Sequence, residues 1–472
     1  MPKSNQSFIQ PLFLFLGTAS ANLLFTTASW SQDLSWTDLL VEASYFDGLV
    51  HPRLEKFSTT AVDLLPNSPE SQTGETAQDT PGNNAQPGTT ERRFNVPLFP
   101  GDRAFSFGFG SVIGEPTALK GPTRQTVVAA ESTVLPSISI AGYVQQKIGD
   151  NQRLLLEAVG GFQLIGADIS YSIAPGTLPG IFSINFFSQQ SRVPAFEEGE
   201  REVELRGGDE PWVDRLGGGI EYFQSIFPQL KIAAGFNYQR VAIRDGAFTS
   251  DVFSRDELGN KLSFSNDGID VLVTLNFAGL YDNTDVPSYP TKGTRIKFGF
   301  DQSFPVGDSN INYTRFAGNF SQFFPVRLLN FKQGPQTFIL NFQTGTMLGD
   351  VPPYEAFILG GSSSVRGYSK GEVTTSRSFV QATAEYRFPI FSFSAFRQPF
   401  DVSGSLFVDY GSDLGTADDV TGKPAVVRDK PGDGLGYGFG LHARSPFGLI
   451  RFEFGWNDRG GNEVFVVIGD RF

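Results

Sequence analysis

Most of the chain consists of short segments in which apolar and polar residues alternate. Leu406, Val408 and Tyr410, for example, alternate with Phe407 and Asp409. A period of two residues puts one set of side chains on each face of a β-sheet. The pattern therefore predicts an all-β protein, with Asp409 on the face opposite to the apolar side chains.

We count sixteen such segments within residues 94–472, and the connections between them alternate in length. Loops such as 347–376 are long, whereas turns such as 445–448 are short. This alternation is typical of an antiparallel transmembrane β-barrel with long external loops and short periplasmic turns. A soluble β-sandwich would show the same period. Aromatic residues near the strand ends and polar residues on the opposite face favour a barrel with a wet lumen.

The N-terminal part, residues 1–93, does not show this alternation. Residues 1–31 have a basic start, an apolar run and an Ala-Ser-Ala site, which predicts a secretory signal peptide. A membrane anchor is the alternative, but Pro11 and polar interruptions disfavour a spanning helix. Residues 32–93 are predicted to be a short N-terminal segment followed by a disordered linker, because 66–92 is a Pro/Ser/Gln/Thr/Gly tract. The barrel is assigned to residues 94–472.

Composition excludes several classes of function. The chain has 472 residues, no Cys and two His, and its formal net charge is −13. A disulfide framework or thiolate metal site is excluded, and two distant His residues do not support zinc binding or histidine catalysis. The acidic balance argues against nucleic acid as a partner. Neither G-x-S-x-G nor a Walker-A motif occurs, so we expect no enzyme, cofactor or metal.

The stretch 360–368 in the long loop is unusual for a solvent loop, because Arg366 follows a Gly/Ser run and precedes a Gly-Tyr pair. Glycine allows tight turns, and a guanidinium in an enclosed space needs carboxylate partners. Glu385 and Asp409 lie on strand faces that we expect to point inward. We predict that the loop folds into the barrel and that Arg366 pairs with both carboxylates.

Four motifs resemble those of the BamA/TamA superfamily of outer-membrane insertases and translocases, and the resemblance covers about residues 134–472. They are Val365-Arg366-Gly367-Tyr368 in the sixth external loop, Glu385 in strand twelve, Phe407-x-Asp409-x-Gly411 in strand thirteen, and residues 448–455 of strand fifteen with the lumen charges Arg451 and Glu453. The match looks closest to cyanobacterial members. It implies that Arg366 bonds to the carboxylates of strands twelve and thirteen.

The resemblance also implies a function in a Gram-negative outer membrane. We expect insertion or translocation of client outer-membrane or secreted proteins through a weakly paired seam between the first and last strands. The alternative is a passive pore or structural barrel in which Arg366 only holds a plug. A surface-binding role for the long acidic loops is a third possibility. We expect contacts with outer-membrane lipids and with the resident barrel-assembly machinery.

Two departures from the family pattern are visible. No POTRA module is legible before the barrel, and Asp282-Asn283-Thr284 replaces a common Asp-x-Arg. Both put delivery of substrate in the usual family manner in question.

The last strand is predicted to be a sorting signal with Val464, Val466, Ile468 and Phe472 on the lipid face, although Asp470 departs from the usual apolar residue. The loop 191–212 is rich in Glu, which is typical of a solvated acidic loop. A calcium or magnesium site there is the alternative, because hard oxygen ligands suit these ions.

Overall fold

The computed structural model describes residues 94–95, 105–113, 138–149, 152–161, 164–175, 180–287, 289–328, 334–395, 398–445, 448–468 and 470–472. The predicted signal peptide at 1–31 and the segment 32–93 lie outside the described residues. Most of the described part forms one large antiparallel sheet of seventeen strands, which include the two-residue segment Phe94–Asn95. The prediction of an all-β antiparallel protein is confirmed.

The long strands are labelled in chain order. They are β1 (Phe105–Ile113), β2 (Ile138–Gly149), β3 (Gln152–Gly161), β4 (Leu164–Ile173), β5 (Ile181–Arg192), β6 (Trp212–Phe227), β7 (Leu230–Arg244), β8 (Ile269–Asp282), β9 (Gly293–Ser303), β10 (Tyr313–Pro325), β11 (Thr337–Gly349), β12 (Ser378–Ala395), β13 (Gln398–Ser412), β14 (Asp433–Ser445), β15 (Gly448–Asn457) and β16 (Asn462–Ile468). Each strand from β1 to β15 pairs antiparallel with the next in sequence, so every connection is local.

The two faces of the sheet differ in polarity, as the alternation predicts. On β13, Leu406 and Val408 are 49% and 48% exposed, whereas Phe407 and Asp409 are buried. Apolar side chains that stay exposed on one face form a surface suited to lipid rather than water. The other face buries polar side chains, which bond across strands. For example, the Asn341 amide donates to Asn319 over 2.8 Å.

The connection between β11 and β12 is long and almost entirely buried. It contains a 3₁₀ turn at Pro353–Glu355 and a two-stranded hairpin made by Phe357–Leu359 and Thr374–Ser376. Three other short elements lie in the long loops, and they are the 3₁₀ turns Pro194–Phe196 and Ala417–Asp419 and the helix Pro424–Val427. Side chains from these loops and from strand ends pack with the buried loop in one apolar cluster that includes Phe196, Leu205, Ile243, Leu262, Tyr354, Phe357, Val365, Tyr368 and Val420.

The end of the chain corrects one prediction. Val464 and Val466 lie on the outward face of β16, and Ile468 is its last residue. Phe472 does not share that face, because it is 1% exposed and packs in a cluster with Phe323 and Ile339. The alternation fails because residues 470–472 follow the end of β16 and turn toward the polar face. The role of these residues as a sorting signal stays a prediction.

The described residues contain no helix that could span a bilayer.

The outward face gives a direct test of the membrane assignment. We expect Val408→Arg to reduce assembly of the folded protein in lipid vesicles, because a guanidinium on the lipid face costs about 2–4 kcal/mol near the bilayer centre. Val408→Leu, which keeps the surface apolar, should fold like the parent protein. Folding is measured by heat-modifiable electrophoretic mobility after reconstitution. Equal folding of the two variants would contradict the assignment.

Candidate functional site

The loop reverses direction around Arg366 through three glycines with positive φ. These are Gly360, Gly361 and Gly367, with φ of 114°, 94° and 98°. The amide of Gly361 donates to the carbonyl of Tyr368 over 2.9 Å and closes the turn. A Cβ on Gly367 would lie 2.5 Å from the carbonyl oxygen of Trp456 on β15. The close approach to the wall of the sheet therefore requires glycine at this position.

Arg366 bonds to carboxylates on three strands. Its Nε and Nη2 donate to the two oxygens of Asp409 over 2.7 and 3.1 Å, and its backbone amide donates to the same group over 3.1 Å. Its Nη1 donates to Glu385 over 2.8 Å and to Glu453 over 2.9 Å. All four side chains are fully buried. We call Arg366 with Asp409, Glu385 and Glu453 the clasp.

The electrostatics of the clasp keep Arg366 charged. Burial alone would lower the pKa of this guanidinium, but the charges of Asp409, Glu453 and Glu385 outweigh burial and raise the pKa above its ordinary value. Charge-assisted bonds of this kind are about twice as strong as neutral ones, and the bidentate bond to Asp409 also fixes the orientation of the guanidinium.

The other motif residues shape the space around Arg366. The ring of Phe407 lies 3.4 Å from the guanidinium carbon, so it stacks on the cation. A Cβ on Gly411 would lie 2.8 Å from Val365, which explains the glycine in F-x-D-x-G. The motif residues on β13 therefore provide a stacking ring, a carboxylate and free space for the loop.

Tyr368 ties the loop to the turn between β15 and β16. Its hydroxyl donates to Asp458 and accepts a 2.8 Å hydrogen bond from Arg459. Burial and the bond to Asp458 together raise the pKa of Tyr368 to about 12, so the hydroxyl keeps its proton at neutral pH. A Cβ on Gly434 would lie 2.6 Å from the Tyr368 ring, so β14 approaches the ring closely here.

The clasp belongs to a larger charge network. The network contains four guanidiniums and four carboxylates. They are linked by the pairs Arg366–Glu385, Arg366–Asp409, Arg366–Glu453, Arg387–Glu385, Arg387–Asp470, Arg451–Glu453 and Arg471–Asp409. The formal charges in this network are equal in number, four against four. Such a balance offsets part of the cost of removing each ion from water.

The structure brings together residues that the motifs named separately. Glu385 and Asp409 contact Arg366 as predicted, and Glu453 joins them as a third carboxylate that the sequence analysis placed only on an inward face. Arg451 lies beside Glu453 at 3.0 Å. Sequence reasoning missed a partner of the clasp in Arg471, which bonds to Asp409 at 3.2 Å. No local pattern marks this contact, because 62 residues separate the two.

The acidic loop 191–212, for which a calcium or magnesium site was the alternative, contains an ion pair. Arg192 and Glu210 form an ion pair at the two ends of this loop. Among the described residues, no group of three or more His, Cys, Asp or Glu side chains is arranged to hold a metal ion.

Comparison with known proteins identifies the family to which this arrangement belongs. Residues 148–472 match the model of the Omp85 superfamily domain. The chain belongs to the Omp85 superfamily. This result supports the resemblance to BamA/TamA-type barrels that the four motifs indicated.

Curated relatives of this Omp85 protein include chloroplast proteins. It is 28% identical over 316 residues to outer envelope protein 80 of Arabidopsis thaliana, which covers 64% of this chain and 40% of the relative. It is 30% identical over 282 residues to protein TOC75 of Pisum sativum, covering 55% of this chain and 32% of the relative. The matched part thus spans well under half the length of these relatives.

A solved structure of BamA from Haemophilus ducreyi lacking POTRA domains 1–3 resembles the fold. The TM-score is 0.55 at 14% identity, and the match covers 78% of this chain and 70% of that chain. At this identity the likeness concerns the fold alone.

Removing Arg366 tests the energetics of the clasp. We expect Arg366→Ala to lower the free energy of unfolding by about 3–5 kcal/mol, because three buried carboxylates lose their shared cation. Arg366→Lys should lose less, since it keeps the charge but not the bidentate geometry. Urea unfolding in lipid vesicles measures the change. Arg206→Ala, at an exposed position, is the control, and an equally small effect at both positions would contradict the burial of the clasp.

A glycine on β14 tests the placement of the loop. A Cβ on Gly436 would overlap the carbonyl oxygen of Arg366, whereas a Cβ on Gly318 of β10 would meet nothing within 4 Å. We expect Gly436→Ala to displace the loop and expose its 350–376 segment to added protease. Gly318→Ala should leave the digestion pattern unchanged. Identical digestion patterns would show that the loop does not approach β14.

Proposed function

We propose that this Omp85 protein inserts or translocates other proteins at an outer membrane through a seam between β1 and β16. The observation that carries the proposal is the clasp, because a fully buried Arg366 fixes a long loop against the polar face of the sheet. Family membership supports the same function. Protein insertion needs a barrel that can open without collapsing, and an internal brace meets that need.

The proposed architecture is a closed, sixteen-stranded transmembrane barrel. Strands β1 to β16 pair consecutively, and β1 follows β16 in the strand order of the sheet, which supports closure. The apolar outward face and the polar inward face support a position in the membrane, because barrel strands alternate between lipid and lumen. With this count, the loop that carries Arg366 enters from the external side.

One of the two strands at the proposed seam is short. Strand β16 has seven residues, whereas β12 has eighteen. A short edge strand offers few backbone hydrogen bonds to its partner, so its separation costs less than that of a long strand. The backbone groups freed at such an edge can template a client strand by β-augmentation.

The clasp would brace the barrel while the seam opens. Arg366 joins β12, β13 and β15, the strands that precede the seam. These strands would stay together as one wall when β16 separates from β1. The loop then keeps its position and the lumen keeps its shape.

The environment and partners follow from the same proposal. The name of one relative, outer envelope protein 80, places it in an outer envelope, which supports an outer membrane, with the lipids of that membrane against the exposed apolar face. We propose a Gram-negative outer membrane, with client outer-membrane or secreted proteins as transient partners and the resident barrel-assembly machinery acting on this chain. The proposed activity is not enzymatic and needs no cofactor.

The experiment is site-specific photo-cross-linking in living cells. A photoreactive amino acid at Val464 in β16, and at positions in β1, should capture nascent outer-membrane proteins. The same group at Phe342, an exposed position on β11 away from the seam, is the control. Depletion of the protein should lower the levels of the captured clients.

A passive pore or structural barrel is the rival function. It predicts no client cross-links at Val464, unchanged levels of all other outer-membrane proteins after depletion, and a steady conductance in planar bilayers that rises in Arg366→Ala. That combination of results would overturn the insertion proposal.

A further inference from the structure

The loop that carries Arg366 also carries a buried charge of the opposite sign. Glu355 lies in the 3₁₀ turn at the start of this loop and is 1% exposed. Its Oε1 accepts a 2.6 Å hydrogen bond from Nη1 of Arg215 on β6. Its Oε2 lies 3.7 Å from Nη1 of Arg315 on β10. The start of the loop is therefore bound to the wall by ion pairs, as is its tip.

Tyr354 adds two bonds to the same wall. Its carbonyl accepts a 3.0 Å hydrogen bond from Nη2 of Arg215. Its hydroxyl donates to Asp270 on β8 over 2.6 Å. The turn Pro353–Glu355 thus contacts three strands through both backbone and side chain.

The two guanidiniums at this site share one carboxylate of the loop, and Asp301 on β9 is a further negative charge near Arg315. Arg315 is 1% exposed, lies 4.5 Å from the centre of the Phe357 ring, and none of its nitrogens has a hydrogen-bond partner among the described residues. Glu355 is the carboxylate that both Arg215 and Arg315 contact. Its loss would leave two buried cations without that contact, which carries a large penalty.

We propose that Glu355 is a second anchor of the loop, independent of the clasp and attached to a different part of the barrel wall. The anchor binds β6 and β10, with Tyr354 on β8, whereas the clasp binds β12, β13 and β15. The loop is therefore attached to the wall at two places. A carboxylate, Glu355, makes the ion pairs at its start, and a guanidinium, Arg366, makes those at its tip.

The consequence rests on the proposed function. In a sixteen-stranded ring, β8 lies halfway round from the seam between β16 and β1. The Glu355 anchor would therefore stay bound to strands that do not move when the seam opens. Glu355 is therefore a positioning residue, which places Arg366 from the stationary side of the barrel.

The absence of cysteine in this chain allows a direct test. Two single-thiol reporters are made, Ala356→Cys beside the anchor and Val365→Cys beside the clasp. Both parent side chains are buried, at 1% and 0% exposure. Maleimide reactivity of each thiol is measured in folded protein in lipid vesicles without a client, and heat-modifiable mobility verifies folding.

We expect Glu355→Gln to raise the labelling rate of the thiol beside the anchor by about tenfold, because Gln keeps the shape of the side chain but removes the negative charge from the contacts with Arg215 and Arg315. The labelling rate of the thiol beside the clasp should change less than about twofold, because additivity holds for independent sites. Arg366→Gln should show the reverse pattern. Glu372→Gln is the matched control, since Glu372 accepts a 2.6 Å bond from the Ser369 amide within the loop.

Two results would overturn the proposal. An unchanged labelling rate beside the anchor means that Glu355 does not hold the loop, and an equal rise at both thiols means that the loop is held as one unit. If Glu355→Gln fails to fold, Tyr354→Phe decides, because it removes only the bond to Asp270 and should raise labelling of the thiol beside the anchor alone. Client insertion is measured separately, so a failure of the insertion function leaves the labelling result intact.

Discussion

Burial of charge on the inward face is the constraint on which the rest of the structure depends. Four guanidiniums and four carboxylates lie in one network around Arg366, nearly all of them inaccessible to solvent. Each ion loses its hydration there, so each needs a partner of opposite sign at bonding distance. The loop can pack against the polar face of the sheet because Asp409, Glu385 and Glu453 on that face bind Arg366.

Close approach of the backbone is the second requirement, and glycine meets it. Gly367 faces the backbone of β15, Gly436 faces the carbonyl of Arg366, and Gly411 leaves space for Val365. Side chains at these positions would hold the loop away from the wall and lengthen every ion pair in the clasp. Glycine in a strand has a conformational cost. The charge-assisted bonds of the clasp offset this cost, and they can form only because glycine has no side chain to hold the loop away.

The end of the chain connects the clasp to the last strand. Asp470 pairs with Arg387 at 2.6 Å, and Arg471 pairs with Asp409 at 3.2 Å. The residues that follow β16 are thus held by the same network that holds the loop. A movement of β16 away from β1 would pull on these pairs, so the proposed opening of the seam and the state of the clasp are mechanically linked. The Glu355 anchor lies outside this network and would not share the strain.

Local sequence determined the strands, because a two-residue period needs only neighbouring residues to define the two faces. It also determined that Asp409 and Glu385 lie on the inward face, and the motif around Arg366 indicated their partner. Only the tertiary structure decided that Glu453, 87 residues from Arg366, completes the clasp and that Glu355 meets Arg215 across 140 residues. These contacts depend on the register and curvature of strands far apart in sequence. The inward turn of Phe472 has the same origin, since ion pairs with distant strands override the alternation where the strand ends.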